Sequence, residues 1–249
     1  MKSHSADALV LRTYRYGEAD RIVVFLTADR GKKRGVAKNA SKSRRRFGGA
    51  LEPLTRGTVT YVEHEHRELV RLDRIEPLTS PMKLSLGLTH VAYFAELLSE
   101  WAQESQANER LFRLGTSVGE ALGLGGSVEA LARYFEYWLL RLEGVYPSLA
   151  TCARCGERVL AEGAVLETID WRYICRPCSS YSPRGPQLSR GAMTFLKAAG
   201  ARTPAEITAS DVGADVLREI EHVHHQLIAM HLEKELRSAR VVREMRSHA

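Results

Sequence analysis

The plainest chemistry in this chain belongs to four cysteines. They form two Cys-x-x-Cys pairs, Cys152 with Cys155 in "TCARCGE" and Cys175 with Cys178 in "YICRPCSS", nineteen residues apart. This is the spacing of a tetrathiolate zinc site. Two thiolates on one tight turn reach the same Zn2+ at about 2.3 Å, and a second such turn completes the tetrahedron. Four protein ligands leave no open position for substrate, so the expected cofactor is one structural zinc on Cys152, Cys155, Cys175 and Cys178. Arg154, Arg158 and Arg176 stand close enough in sequence to offset the excess negative charge. Gly156 suits the positive φ of a first knuckle, and Ser179 after the second pair suits it less well. A redox reading of either pair lacks a surrounding βαβ pattern.

The second cluster is basic. "RGKKRGVAKNASKSRRR" (residues 30–46) holds nine Lys and Arg and no acid. The chain carries a net +6, yet outside this segment 27 basic residues face 30 acidic ones. Like charges at this density repel one another, so a polyanion is the expected partner. Nucleic acid is the commonest, because its phosphates release counterions when cations replace them. The candidate contacts are Lys32, Lys33, Arg34, Lys38, Lys42, Arg44, Arg45 and Arg46. Tyr14, Tyr16, Phe47 and Tyr61 lie nearby as faces for base stacking, and each is equally a candidate core residue. Nothing resembles a base-reading helix, so little sequence preference is expected. A solvated loop with no partner is the plainer alternative; a position between apolar segments argues against it.

The elements that must position these groups follow. Short apolar runs fill the first 79 residues: "ADALVLRTY", "RIVVFLTA" after a turn at Gly17, and "GTVTYVEHEHRELVRLDRIEPL" with a charged break near Glu65–Arg67. Four or five short strands in this length fit a small closed barrel. The basic segment begins in the third strand and runs into the loop behind it.

From residue 80 to 249 the pattern is helical, with the zinc module at about 150–182 embedded in it. Ser80-Pro81 reads as a helix start, followed by Met82, Leu86, Thr89/His90, Tyr93/Phe94, Leu97/Leu98 and Trp101 at helical spacing. Asn108, Ser127 and Ser189 are expected caps of further helices, with Gly144 a stop. Gly123–Gly126 reads as a helix–helix turn, because no Lys-Ser/Thr follows it as in a phosphate loop. A long helix is expected from about Asp211, with Val216, Ile220, Val223, Leu227 and Met230 inward. His222 and His225 share a face of it without a convincing third metal ligand. Arg237, Arg240, Arg243 and Arg246 close the chain as helix-end cations or an auxiliary nucleic-acid contact.

No apolar stretch approaches the ~20 residues of a membrane span. "MKSHSADALVLRTYR" lacks a signal-peptide core, so a cytoplasmic protein is expected. The sequence carries no P-loop, GxSxG or HExxH, and the expectation is a protein that is not an enzyme.

With these residues in place, a resemblance emerges. "ALVLRTYRYGEADRIVVFLTADRGKKRGVAKNASKSRRRFGGALEPLTRG" resembles the N-terminal domain of the RecO family of bacterial recombination mediators and DNA-repair proteins. The pattern is carried by Tyr16-Gly17-Glu18-Ala19-Asp20, Thr27, Gly31, Val36-Ala37-Lys38, Ser41–Arg46 and Leu51-Glu52-Pro53. "YFAELL" (Tyr93–Leu98) and "YFEYWLLRLEGVYPSLATCARCGE" (Tyr134–Glu157) are similar to later family segments. Asn39 departs from a frequent family Gly and is expected to shift the loop turn. The cysteines are not general in the family, so the zinc expectation rests on their spacing. The resemblance implies an α+β chain: an N-terminal OB-fold β-barrel, then a helical domain with an embedded zinc module. It implies binding of single- and double-stranded DNA, annealing of complementary strands without ATP, and help in loading the recombinase RecA onto strands coated by single-strand-binding protein. It further implies partnership with RecR and association with the nucleoid. A zinc-containing OB-fold RNA-binding protein is the alternative.

Overall fold

Alternation of apolar and polar residues turns the N-terminal runs into strands, and their register closes them. The computed structural model describes residues 2–65, 67–81, 88–158, 162–180, 185–233, 236 and 238–242, without the side chain of Arg44. Strands β1 (Lys2–Tyr16), β2 (Asp20–Thr27), β3 (Gly31–Ala37), β4 (Arg56–Glu63) and β5 (Val70–Thr79) form a closed barrel in the order β1-β2-β3-β5-β4. This is the five-stranded OB arrangement. The first half of β1 pairs with β4 and its second half with β2; a bulge between Val10 and Arg12 bends it from one partner toward the other. The barrel shuts where β3 runs parallel to β5, from Gly35↔Val70 to Ala37↔Leu72. Val10, Val23, Phe25, Val59, Tyr61, Leu72 and Ile75 fill the interior. A single turn, α1 (Arg44–Phe47), adds Phe47 to that same core, with Ala50 just beyond.

The chain divides into two compact units: residues up to Leu124 with those from Leu236 on, and Gly125–Glu235. The expected division at 79/80 follows chain segments, and β5 does end at Thr79; by packing, the next two helices go with the barrel. α2 (Leu88–Trp101) buries His90, Tyr93, Phe94, Leu97, Leu98 and Trp101. Met82 and Leu86 lie outside the described residues. In α3 (Glu109–Leu124), Asn108 caps the first turn, its Oδ1 accepting from the Leu111 N–H at 3.0 Å. Gly31 joins barrel to helices. Its φ is +67, and a Cβ there would sit 2.2 Å from the Gln106 carbonyl oxygen, so only glycine fits.

The second unit begins after the turn at Gly125 and Gly126, both at positive φ. It contains α4 (Val128–Leu142), a three-stranded sheet in the order β7-β6-β8, and four further helices. The strands are β6 (Gly163–Glu167), β7 (Arg172–Ile174) and β8 (Gln187–Ser189). The helices are α5 (Arg176–Ser179), α6 (Arg190–Ala199), α7 (Pro204–Thr208) and α8 (Ala214–Leu232). Ser127 and Ser189 cap α4 and α6 through their side chains, and Gly144 follows α4 at φ +71. Two readings of the long helix change. α8 starts at Ala214 rather than near Asp211, and its buried face is Leu217, Ile220, Val223, His224, Leu227 and Ile228. Val216 and Met230 are only half-buried, because the inward face is rotated by about one residue. α8 also stops at Leu232, where Glu233 turns left-handed. Arg240 therefore stands on a separate helical stretch, 238–242, which belongs to the barrel's unit. Arg237, Arg243 and Arg246 lie outside the described residues. Among the described residues no helix is long and apolar enough to cross a membrane.

Candidate metal centre and nucleic-acid interface

The two cysteine turns are built differently. In the first, the Gly156 N–H closes on the Cys152 carbonyl at 2.9 Å with Gly156 at φ +76, as its side-chain-free backbone allows. In the second, Cys175 caps the short helix α5, and the Ser179 N–H donates to the Cys175 carbonyl at 3.0 Å. A helical turn needs no positive φ, so Ser179 serves where the first turn needs glycine. The β6–β7 hairpin carries the second turn: Val165 and Ile174, paired across it, pack with Cys152 and Cys175 in one small core.

The four Sγ atoms lie within 4.8 Å of one another. Cys155 and Cys175 Sγ are 3.9 Å apart. A tetrahedron with bonds of about 2.3 Å has edges of about 3.8 Å, so the sulfurs can share one ion with little adjustment. Burial works against a charged Cys152, but backbone N–H groups, including those of Cys155, Cys175 and Arg154, outweigh it and bring its thiol down to about 6. Cys178 goes the other way, pushed up to about 12 by its hydrogen bonding with Cys175 and by burial. Thiols this close share protons unless a cation displaces them, so the four sulfurs could together hold one metal ion. Of the three expected offsetting arginines, Arg154 donates to the Cys178 carbonyl at 3.4 Å and pairs with buried Glu167 at 2.5 Å. Its guanidinium thus meets a backbone carbonyl and a carboxylate, while its backbone N–H donates to Cys152 Sγ at 3.4 Å.

In the barrel, the basic segment separates into two sets. Lys32 Nζ donates to the Ser99 carbonyl at 2.8 Å, and burial lowers its pKa. Lys33 Nζ meets Glu63 Oε1 at 2.7 Å and Ser105 Oγ at 3.2 Å. Arg46 holds the loop, donating to the Lys38 carbonyl at 2.6 Å while its guanidinium lies over the Phe47 ring. These three cations have internal work. Arg34, Lys38, Lys42 and Arg45 are exposed. The side chain of Arg44 lies outside the description. Asn39 takes the left-handed position itself, at φ 55, with its N–H on Asp20 Oδ1 at 2.7 Å. Asn tolerates that conformation better than most residues that carry a side chain.

The aromatic candidates separate as sharply. Tyr14 and Tyr16 are 45% and 50% exposed, while Phe47 and Tyr61 are 3% and 0% exposed. Phe47 is corrected from stacking candidate to core residue: α1 turns its ring into the barrel. Beside Tyr16 a cleft of about 600 Å3 is lined by Lys38, Arg67 and Arg71, by Asp20 and Glu68, and by Val36 and Leu69. Arg67 and Arg71 were missed. They come from the β4–β5 connection and β5, which the parallel β3–β5 pairing brings beside the basic strand. The charged break near Glu65–Arg67 was their only sequence signal.

A third feature had no signal at all. In the second unit, Arg133 Nη2 donates to Glu136 Oε1 at 2.7 Å, and His224 Nδ1 meets Glu136 Oε2 at 3.0 Å. Tyr146 Oη lies 3.1 Å from His224 Nε2, and the Tyr173 hydroxyl donates to Tyr146 at 3.4 Å. Burial lowers the pKa of His224. A neutral His224 donating from Nδ1 and accepting at Nε2 satisfies every partner. The interior histidine is thus His224, not the His222–His225 face weighed for metal; His222 is exposed.

Family models match both halves of the chain in order. "Recombination protein O N terminal" covers residues 1–81 and "Recombination protein O C terminal" covers residues 86–240. A protein named DNA repair protein RecO from Koribacter versatilis is 44% identical over 160 residues, which span 62% of this chain and 64% of that relative. The chain thus covers just under two thirds of that relative's length. One of the same name from Anaeromyxobacter sp. strain K is 38% identical over 192 residues, 76% of this chain and 75% of the relative. Another, from Anaeromyxobacter dehalogenans strain 2CP-C, is 34% identical over 241 residues, 95% of this chain and 94% of the relative. The closed barrel, the helical second half and both family models agree: this chain belongs to the RecO family.

Proposed function

We propose that this protein is a DNA-binding recombination mediator of DNA repair. It binds single- and double-stranded DNA through the barrel with little sequence preference and anneals complementary strands without ATP. It assists the loading of the recombinase RecA onto strands coated by single-strand-binding protein, in partnership with RecR. The observation that supports this reading most is the rim of the barrel: exposed Arg34, Lys38, Lys42 and Arg45, with exposed Tyr14 and Tyr16, in a chain of the RecO family. Cations there meet phosphates, and tyrosine faces stack on bases whatever their identity. Arg67 extends the track along the cleft; Arg71 beside it is paired with Asp73 at 2.9 Å. Zinc on Cys152, Cys155, Cys175 and Cys178 supplies structure only, since its four ligands close the coordination sphere.

The deciding experiment uses full-length protein and complementary strands coated with cognate single-strand-binding protein. Annealing without nucleotide is expected. Its absence, together with equal or tighter binding of matched RNA, overturns the reading in favour of an RNA-binding protein.

A further inference from the structure

The second unit carries a basic site that no part of the barrel track accounts for. A cleft of about 600 Å3 opens there between α4, α6 and the chain that follows the first cysteine turn. Tyr137, Leu149, Met193 and Leu196 give it an apolar floor, and Arg141, Arg158, Arg190 and Lys197 surround that floor. The four cations come from four separate places: the last turn of α4, the residue after Glu157, the first residue of α6 and the last turn of α6. The described residues lining the cleft include no carboxylate. None of the four cations has a carboxylate within 4.0 Å among the described residues. Elsewhere in the same unit, Arg133, Arg154, Arg172 and Arg218 each pair with one, whereas Arg176 and Arg202, among the described residues, do not, so it is the convergence of four on one cleft that is unusual.

Helix ends account for Arg141 and Lys197, which stand in the last turns of α4 and α6, but not for the convergence of all four. Four converging cations repel one another. Arg190 sits at the first residue of α6, where the helix dipole opposes a positive charge. Arg141 is fixed, donating to Tyr137 Oη at 2.6 Å with its guanidinium over the Tyr137 and Trp138 rings at 5.4 and 5.5 Å. The site is therefore held ready for an anion with an apolar part. Three of the four cations are arginines, whose planar fork matches phosphate oxygens. The volume falls within the range of sites for nucleotide-sized ligands.

We propose that this cleft holds a second nucleic-acid strand, with phosphates on Arg158, Arg190 and Lys197 and a base against the Met193–Leu196 floor. The inference rests on the proposed function and supplies what annealing physically requires: a cationic surface for the second strand besides the one on the barrel. A strand is favoured over an acidic peptide because phosphates recur along it at regular intervals and can meet several separated cations at once.

The test compares full-length wild type with the triple variant Arg158→Ala, Arg190→Ala and Lys197→Ala. All three side chains are exposed, so the fold should stand; equal zinc content and equal melting check this, and Arg190→Glu alone serves if the triple variant fails them. Two oligonucleotides per wild-type chain are expected, and one per variant chain. First-strand affinity should change less than about twofold, while the annealing rate falls at least about tenfold. The salt slope of the second binding event should flatten by about 2, from three lost phosphate contacts. Unchanged annealing and stoichiometry in the variant, with wild type annealing normally, overturns the cleft and leaves the proposed function standing. Wild type that binds no nucleic acid overturns both. An acidic peptide bound by wild type and lost in the variant, with annealing unchanged, makes the cleft a peptide site and overturns the proposal.

Discussion

The barrel core and the second unit treat charge in opposite ways. The barrel's core cluster is apolar but for the Tyr61 hydroxyl, and Arg34, Lys38, Lys42 and Arg45 stand outside it, on β3 and the loop after it. The second unit takes charge inside. Arg133, Glu136 and His224 are all buried, and Tyr173 leads from them to the hairpin that carries two of the cysteines. A charge in water can be exchanged between partners at little cost. A buried, paired charge cannot be altered without leaving another uncompensated. The barrel therefore suits reversible contact with a polyanion, whereas the second unit depends on its own ions and on the metal its thiols can hold. That contrast predicts where the molecule will break.

Metal removal should have the largest effect. Zinc is expected at one per chain by elemental analysis, falling to none with Cys175→Ser and Cys178→Ser. Structural zinc contributes about 10–16 kcal/mol in small zinc modules. Hydrogen exchange should then show protection lost from the β6–β7 hairpin and the cysteine turns while the barrel strands keep theirs. Equal loss in both units would erase the contrast.

Next come the two interiors. Glu136→Gln removes the nearer of two counter-charges on buried Arg133, leaving Glu221 at 3.4 Å, and should cost up to about 3–5 kcal/mol. Phe47→Ala opens the barrel core and should cost a similar ~3–5 kcal/mol. Denaturant melts of each variant check both values. Tyr16→Ala should leave stability within about 0.5 kcal/mol but weaken strand binding by about 1–3 kcal/mol. If Phe47→Ala instead weakened binding at unchanged stability, the core assignment would be wrong.

Acid should act on the second unit first. His224 faces Glu136, Arg133 and Glu221, and burial lowers its pKa from 6.5 in spite of Glu136. Below about 6.5 the unfolded chain takes up a proton that the folded unit refuses. Stability then falls by up to about 1.4 kcal/mol per pH unit until folded His224 titrates. Burial would raise Glu136, but Arg133 and His224 outweigh it and hold it at about 2, below its ordinary 4.5. Its contribution is thus present above 4.5 and lost as pH falls toward 2, in the same direction. Thermal melts at pH 7 and pH 5 should show a loss in the second unit that His224→Gln removes.

The smallest expected effect is on the barrel surface. Lys38→Ala with Arg45→Ala should leave melting unchanged and flatten the salt dependence of single-strand binding by about 1.4 in log–log slope. An unchanged slope would mean that the strand runs elsewhere.

What could be read beforehand follows the range of each interaction. Asn108, Ser127 and Ser189 were legible as caps because a cap acts within three residues. The cysteine pairs were legible because metal geometry constrains spacing. α7 was missed although its signal was local: Thr203 and Glu206 form a reciprocal capping box with Pro204 at the start. The register of the basic segment was not legible. Nothing near Lys32 or Lys33 foretells Ser99 or Glu63, which are distant in sequence. Phe47 and Tyr16 look alike as aromatics beside cations, and only the short turn that plugs the barrel separates them. Glu136 and His224 are 88 residues apart, and the apolar stripe of α4, Leu131, Tyr134/Phe135 and Trp138/Leu139, gives no sign that a buried charge stands beside it.

The glycine contact at the barrel's rim bears on how this molecule avoids its own kind. An unpaired strand edge is a template on which a second chain can add a strand. β5 covers β3 only from Gly35 to Ala37. Over Lys32 the chain between α2 and α3 closes the gap: the Lys32 N–H donates to the Gln103 carbonyl and the Ser105 N–H to the Lys32 carbonyl, each at 3.1 Å. Gly31, lacking a Cβ, lets that segment approach. The basic strand is thus sealed along its backbone there and meets the outside through side chains. A second copy of the chain is thereby kept from adding a strand over Lys32.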